Sequence, residues 1–235
     1  MAALVRSLWL LAAAAAACQP FAVTQAPPAP GTARFVVVLD AAHGGDDLGA
    51  KLGNQPEKDM TLALSVKLRS LLMARGIAVV TTRESDVNVD TDRRAEIANR
   101  TRAAACLNLH EAPASANNGP AVHLFLSSLP AAKDVRPAPW RTAQSAWIER
   151  STALAGVLNA ALTQAGVTVT LGRTPLAAID SMTCSAVAVE IAPERPAEAE
   201  DAADNSGFET KVMEALAAAL VEWRSDGGQF GEQQP

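Results

Sequence analysis

Short apolar runs alternate with longer amphipathic stretches along this chain. Residues 35–39 form a continuous valine-rich run, the pattern of a strand buried on both faces. In 59–75, Met60, Leu64, Leu68, Leu71 and Leu72 fall on one helical face, and Gly76 follows as a stop. Residues 77–82 predict the next strand, 92–102 a second helix, and 104–109 and 122–126 further strands. Residues 146–165 read as a helix with Trp147, Leu154, Leu158 and Leu162 as core contacts and Gly166 as its end. A short strand over 167–171 and another over 184–191 come next. The last helix is predicted over 207–223. Phe208, Val212, Leu216, Leu220 and Trp223 form its buried stripe, and Ser206-Gly207-Phe208-Glu209 reads as a capping box at its start.

This alternation predicts an α/β fold: a single domain with a twisted, mostly parallel sheet and helices on both faces. The domain is expected over 34–224. Ahead of it, 1–17 has the layout of a signal peptide: Arg6, then Leu8-Trp9-Leu10-Leu11 and an alanine run to Ala17. Residues 18–33, with Pro20, Pro27, Pro28, Pro30 and Gly31, read as a linker. Residues 225–235 are expected to be a disordered tail. Cys18 leaves two readings open. In one it is the lipid-modified first residue of a bacterial lipoprotein and tethers the domain to a membrane. In the other, ordinary cleavage follows Ala17. Both place the protein outside the cytoplasm, in the periplasm or cell envelope.

Composition narrows the function. The chain has 235 residues and a formal charge of -5, so there is no basic excess of the kind nucleic-acid binding needs. Cys106 and Cys184 each precede a strand-end acid or imidazole at even spacing, which puts each on the face of that residue if the strands are regular. Export makes a disulfide chemically possible. Two buried thiols are the simpler expectation.

His43 lies in the glycine-rich loop Leu39-Asp40-Ala41-Ala42-His43-Gly44-Gly45-Asp46. Glu57 opens a helix, His110 ends a strand, and Glu190 ends another. Taken singly, each has an ordinary structural reading: a turn histidine, a first-turn acid favoured by the helix dipole, a core histidine and a surface acid. Together, two imidazoles, one carboxylate and a free carboxylate base are the parts of a zinc hydrolase, with one metal position open to water. His43, His110 and Glu190 all fall at the C-terminal ends of predicted strands, where open α/β sheets carry their functional crevice.

These residues also carry a resemblance. Asp40-Ala41-Ala42-His43-Gly44-Gly45, Glu57-Lys58-Asp59, Thr82-Arg83-Glu84-Ser85-Asp86, Arg94-Ala95-Glu96-Ile97-Ala98-Asn99, His110 and Val189-Glu190 follow in order and spacing. The chain resembles the zinc-dependent N-acetylmuramoyl-L-alanine amidases of the amidase-3 type. The resemblance implies His43, Glu57 and His110 as zinc ligands and Glu190 as general base and acid. It also implies peptidoglycan or muropeptides as substrate, cut between the lactyl group of N-acetylmuramic acid and L-alanine. The chain departs from the family at Ala41-Ala42, where Pro-Gly is usual, at Glu111-Ala112, where Ala-Asn is usual, and at 191–195. Those departures motivate an alternative, an amidase fold that binds or regulates at the cell wall without turnover. A zinc peptidase with another substrate is the third reading.

Among the neighbours, Asp40, Asp46, Asp47 and Glu111 are candidates to support a ligand or touch substrate. His123 reads as structural, Arg83 and Arg94 as partners in ion pairs, and Trp140 and Trp147 as core residues. The segment 129–147 is short for an inhibitory insertion, so activity is expected to need no activator protein.

Overall fold

The computed structural model describes residues 35–52, 54–112, 119–132, 139–193 and 202–230, with side chains undescribed at 202–206 and 227–230. The signal peptide, Cys18 and the linker lie outside these residues. Eight strands and five α-helices are described: β1 (Val36–Ala41), β2 (Lys51–Leu52), β3 (Gln55–Pro56), α1 (Glu57–Ala74), β4 (Ala78–Thr81), α2 (Thr91–Thr101), β5 (Ala105–Glu111), β6 (Ala121–Ser127), α3 (Ile148–Gln164), β7 (Thr168–Thr174), α4 (Ala177–Asp180), β8 (Ala186–Ala192) and α5 (Ala202–Phe230). A 3-10 helix, Trp140–Ala146, precedes α3.

Six strands form one sheet in the order β4-β1-β5-β8-β6-β7, and β2 and β3 form a separate small ribbon. All neighbours in the large sheet run parallel except β6 and β8. The connection from β5 to β6, residues 112–120, is too short for a crossover helix, so β6 turns back antiparallel.

Strand alternation sorts side chains to two faces. On one, Val37, Leu39, Leu107, Leu109, Val187 and Val189 pack under α1, α3 and α5 through Leu64, Leu68, Leu158, Leu162, Leu216 and Leu220. On the other, Val38, Cys106, Ala186 and Ala188 meet Ala95 and Ala98 of α2 and Ile179 of α4. The small residues of β8 let these shorter helices sit close to the sheet. This second face carries the even-numbered residues of β5 and β8, including His110 and Glu190.

Several expectations are corrected. α1 begins at Glu57 rather than at 59, with Pro56 in extended conformation before it. α5 begins at Ala202, ahead of Ser206, so the capping box does not start it, and it runs to Phe230 through much of the expected tail. Trp140 is 44% exposed, not a core residue. Trp147 stands just before α3, half-buried, with the Arg150 guanidinium 5.3 Å from its ring centre. Cys106 and Cys184 are joined in a disulfide with a Cα–Cα distance of 6.2 Å. Even spacing placed each on the face of its own strand-end residue, and the adjacency of β5 and β8 brings the two together. The Cys106 N–H donates to the Ser185 carbonyl (2.8 Å), which holds their backbones within reach.

Candidate active site

The loop after β1 turns sharply. His43 has φ 62 and Gly44 φ 128, the left-handed region that costs a side-chain-bearing residue strain. Two arginines hold this turn. Arg94 of α2 donates to the carbonyls of Ala41 (2.7 Å), His43 (2.7 Å) and Val89 (2.9 Å) and pairs with buried Asp40. Asp40 also accepts from Thr82 Oγ1 (2.6 Å) and Asn108 Nδ2 (2.8 Å). Arg83 donates to Ala41 O (3.0 Å), Ala42 O (3.0 Å) and Lys58 O (2.6 Å). Lys58 Nζ reaches Gly45 O (2.8 Å) and Asp86 (2.7 Å), and Asp86 accepts from the Gly45 N–H (2.6 Å). Arg94 thus makes the expected ion pair, whereas Arg83 serves backbone carbonyls. The Thr82-Arg83-Glu84-Ser85-Asp86 segment is a clamp on the histidine loop.

His43, Glu57 and His110 converge. Their nearest ligand atoms all lie within 4.8 Å of one another. His43 Nε2 is 3.1 Å from Glu57 Oε2, and His110 Nδ1 is 2.9 Å from Glu57 Oε1. The two rings meet edge to face at 5.2 Å. Glu57 is buried, and its carboxyl also accepts from the Ala50 N–H (2.9 Å). Burial pushes the Glu57 carboxyl up, but the His110 hydrogen bond, the Ala50 N–H and the nearby imidazoles outweigh it and bring it to about 2. Asp47, absent from the ligand trio, holds His43 Nδ1 at 2.9 Å. A carboxylate on the far nitrogen fixes the imidazole so that Nε2 faces the cluster.

Gly49 shows how tightly the cradle is shaped. It has φ +66, and a Cβ there would lie 2.6 Å from His43 Cδ2 and 2.7 Å from Glu57 Oε2. One carboxylate and two imidazoles at this spacing, with an outer carboxylate on one ring, fit a divalent transition metal such as zinc.

Glu190 is not part of the trio. It is the register partner of His110 across β5 and β8, on the same face, and His123 of β6 is its partner on the other side. His123 bonds Thr170 Oγ1 at 2.6 Å, in line with a structural role. Glu111 points to the opposite face, buried, with Oε2 lacking a hydrogen-bond partner. Burial first, then the charges of Glu209 and Glu57, raise its carboxyl to about 8. Asp46 is held away from the trio, bonded to Asn88 at 2.9 Å.

A cleft of about 540 Å³ opens beside the cluster, lined by His43, Asp47, Asn88, Asp90, Asn108 and His110 among others. The stretch from Asn88 to Thr91 and Asn108 had no sequence signal for this role; only the backbone path brings them to the histidines.

The fold and the cluster together define an α/β domain with a carboxylate–bis-imidazole cluster, able to hold a metal ion, at the C-terminal edge of its sheet. The profile of the N-acetylmuramoyl-L-alanine amidase family Amidase_3 matches residues 37–222, and the chain belongs to that family. The endolysin of Bacillus phage SPP1 is 41% identical over 76 residues, 32% of this chain and 28% of that protein. The germination-specific N-acetylmuramoyl-L-alanine amidase of Bacillus subtilis (strain 168) is 43% identical over 54 residues, 23% of each. The matched region thus spans about a quarter of these curated relatives. Among solved structures, the amidase Ami1 of Mycobacterium smegmatis superimposes with TM-score 0.65 at 19% identity, covering 82% of this chain and 97% of that one. The catalytic domain of CwlV from Bacillus (Paenibacillus) polymyxa var. colistinus gives 0.62 at 21% identity, covering 81% and 98%. These likenesses confirm the expected α/β architecture.

Proposed function

We propose that this protein is an exported zinc amidase that hydrolyses the bond between N-acetylmuramic acid and L-alanine in peptidoglycan or muropeptides. The observation that carries this reading is the convergence of His43, Glu57 and His110 beside a cleft, with Glu190 in register with His110, on the fold of the amidase family. His43, Glu57 and His110 hold the metal. Zinc bound there supplies Lewis acidity toward the scissile carbonyl and toward water. Glu190 accepts the proton of the attacking water and delivers it to the leaving amine. Asp47 keeps the His43 ring oriented, and the Arg83–Arg94 clamp keeps its loop in place.

The leader in 1–17 supports export, and Cys18 supports either a lipid tether or simple cleavage after Ala17. Among the described residues, no helix is long and apolar enough to cross a membrane. The CwlD amidase of Clostridioides difficile, solved in complex with the GerS lipoprotein, has the same fold. The short segment 129–147 favours an enzyme that works without an activator.

The test is digestion of purified peptidoglycan by the chain from Gln19 onward, with zinc present, with zinc chelated, or with Glu190→Gln. Mass spectrometry should find stem peptides with a free L-alanine amine only in the first case. Binding to the sacculus without any release from a folded, zinc-loaded protein would turn the reading to a cell-wall binder. Release from plain peptides but not muramoyl-peptides would turn it to a peptidase.

A further inference from the structure

Asn108 has no place in the metal trio or in proton transfer, yet it sits in the cleft wall. It lies on β5 two residues before His110, on the same face and about 7 Å along the strand. The residue is 4% exposed. Its amide nitrogen donates to Asp40 Oδ2 at 2.8 Å. Asp40 is also paired with Arg94, and as a carboxylate in that pair it can only accept. The amide of Asn108 therefore cannot flip without setting oxygen against oxygen. Its Nδ2 is committed to the interior, and Oδ1, which bonds no group among the described residues, is the atom it offers to the cleft.

We propose that Asn108 is a specificity-determining residue whose Oδ1 accepts a hydrogen bond from a secondary-amide N–H of the substrate. This rests on the amidase reading. A muramoyl-peptide carries two such donors near the scissile amide: the acetamido N–H of the sugar and the first peptide N–H of the stem. A separation of about 7 Å from His110 places the contact beyond the scissile bond itself, at a spacing of about two residues of extended chain. Other polar groups of the cleft carry bonds of their own. Asp47 is occupied by His43, Asp90 by the Arg93 N–H, and Asn88 by Asp46. An acceptor held by a buried ion pair loses little freedom when substrate arrives, the condition under which one hydrogen bond separates a substrate that has the donor from one that lacks it.

The experiment uses the zinc-loaded chain, wild type and Asn108→Leu, with a muramoyl-dipeptide and two analogues. One analogue has an ester oxygen in place of the stem N–H, and the other has O-acetyl in place of the acetamido group. Wild type should show KM raised about five- to tenfold for one analogue, with kcat little changed, and that analogue identifies the donor. Asn108→Leu should show the raised KM already with the parent compound and no further rise with the analogue. Equal KM for all three compounds in wild type, or unchanged discrimination in the variant, would overturn the proposal. Should Asn108→Leu fail to fold, the wild-type comparison and Asn108→Ser decide. Calorimetric binding of the same compounds repeats the comparison without turnover. Binding without cleavage then counts against the amidase reading alone, and binding without preference for the N–H counts against Asn108.

Discussion

Glu190 of β8 stands directly opposite His110 of β5 in a parallel pair, so the strand that carries this histidine of the cluster also aligns the carboxylate beside it. Glu190 is outside the cluster of ligand atoms. Glu190→Gln should therefore keep zinc stoichiometry and thermal midpoint near wild type while cutting turnover about 10²- to 10⁴-fold. Elemental analysis, a melting curve and a rate assay on one preparation check this. A variant that lost its zinc would show that Glu190 acts as a ligand instead.

Asp47 touches His43 but not the cluster centre. Asp47→Ala should weaken zinc binding about 10- to 100-fold with little loss of fold stability, because Asp47 is largely exposed, at 66%. Competition with a chromogenic chelator measures it. Unchanged affinity would mean that the His43 ring is oriented by its strained backbone alone.

The Arg94–Asp40 pair is buried on both sides, at 6% and 1% exposure. Arg94→Ala leaves the carboxylate without its cation and frees three carbonyls of the surrounding loops. Unfolding free energy should fall by about 3–5 kcal/mol, read by denaturant titration. Asp40→Asn placed in the same chain should recover part of that loss, since no unpaired charge is then buried.

Burial raises the Glu209 carboxyl above its ordinary 4.5, with Lys67 opposing, and the Glu209 charge in turn helps raise Glu111. Above pH 4.5 the unfolded chain has released this proton while the native state still holds it. The native state then binds more protons, and stability falls as pH rises through the folded-state value. Glu209→Gln should match wild type near pH 4 and become the more stable of the two toward pH 8. Parallel denaturation curves at both pH values decide; a variant less stable at pH 8 would show that the ionised carboxylate is favoured in the fold.

The sequence made the architecture legible where periodicity had one solution. The valine run that became β1, the leucine stripe of α1 and the glycine stops at Gly76 and Gly166 each left little choice. The convergence of His43, Glu57 and His110 was legible because three weak local signals fell in a known order. What escaped depends on distances that spacing does not encode. Arg83 was expected in an ion pair, but its partners are carbonyls exposed by the turn at His43. The thiols of Cys106 and Cys184 pair because β5 and β8 are adjacent, although β6, β7 and α3 separate them in sequence. Trp140, expected in the core, turned outward on a 3-10 helix, and the start of α5 at Ala202 overrode a capping motif that is only a local preference.

The Cys106–Cys184 bridge closes a loop of 78 residues between the strand bearing His110 and the one bearing Glu190. In a chain-entropy picture, such a closure is worth about 4–5 kcal/mol against the unfolded state. Recombinant material from a reducing cytosol would lack this cross-link between the two strands. Yield and shelf life of the protein then become questions of oxidant supply during expression, and a thiol-reactive label offers a direct assay of how much of a preparation has matured.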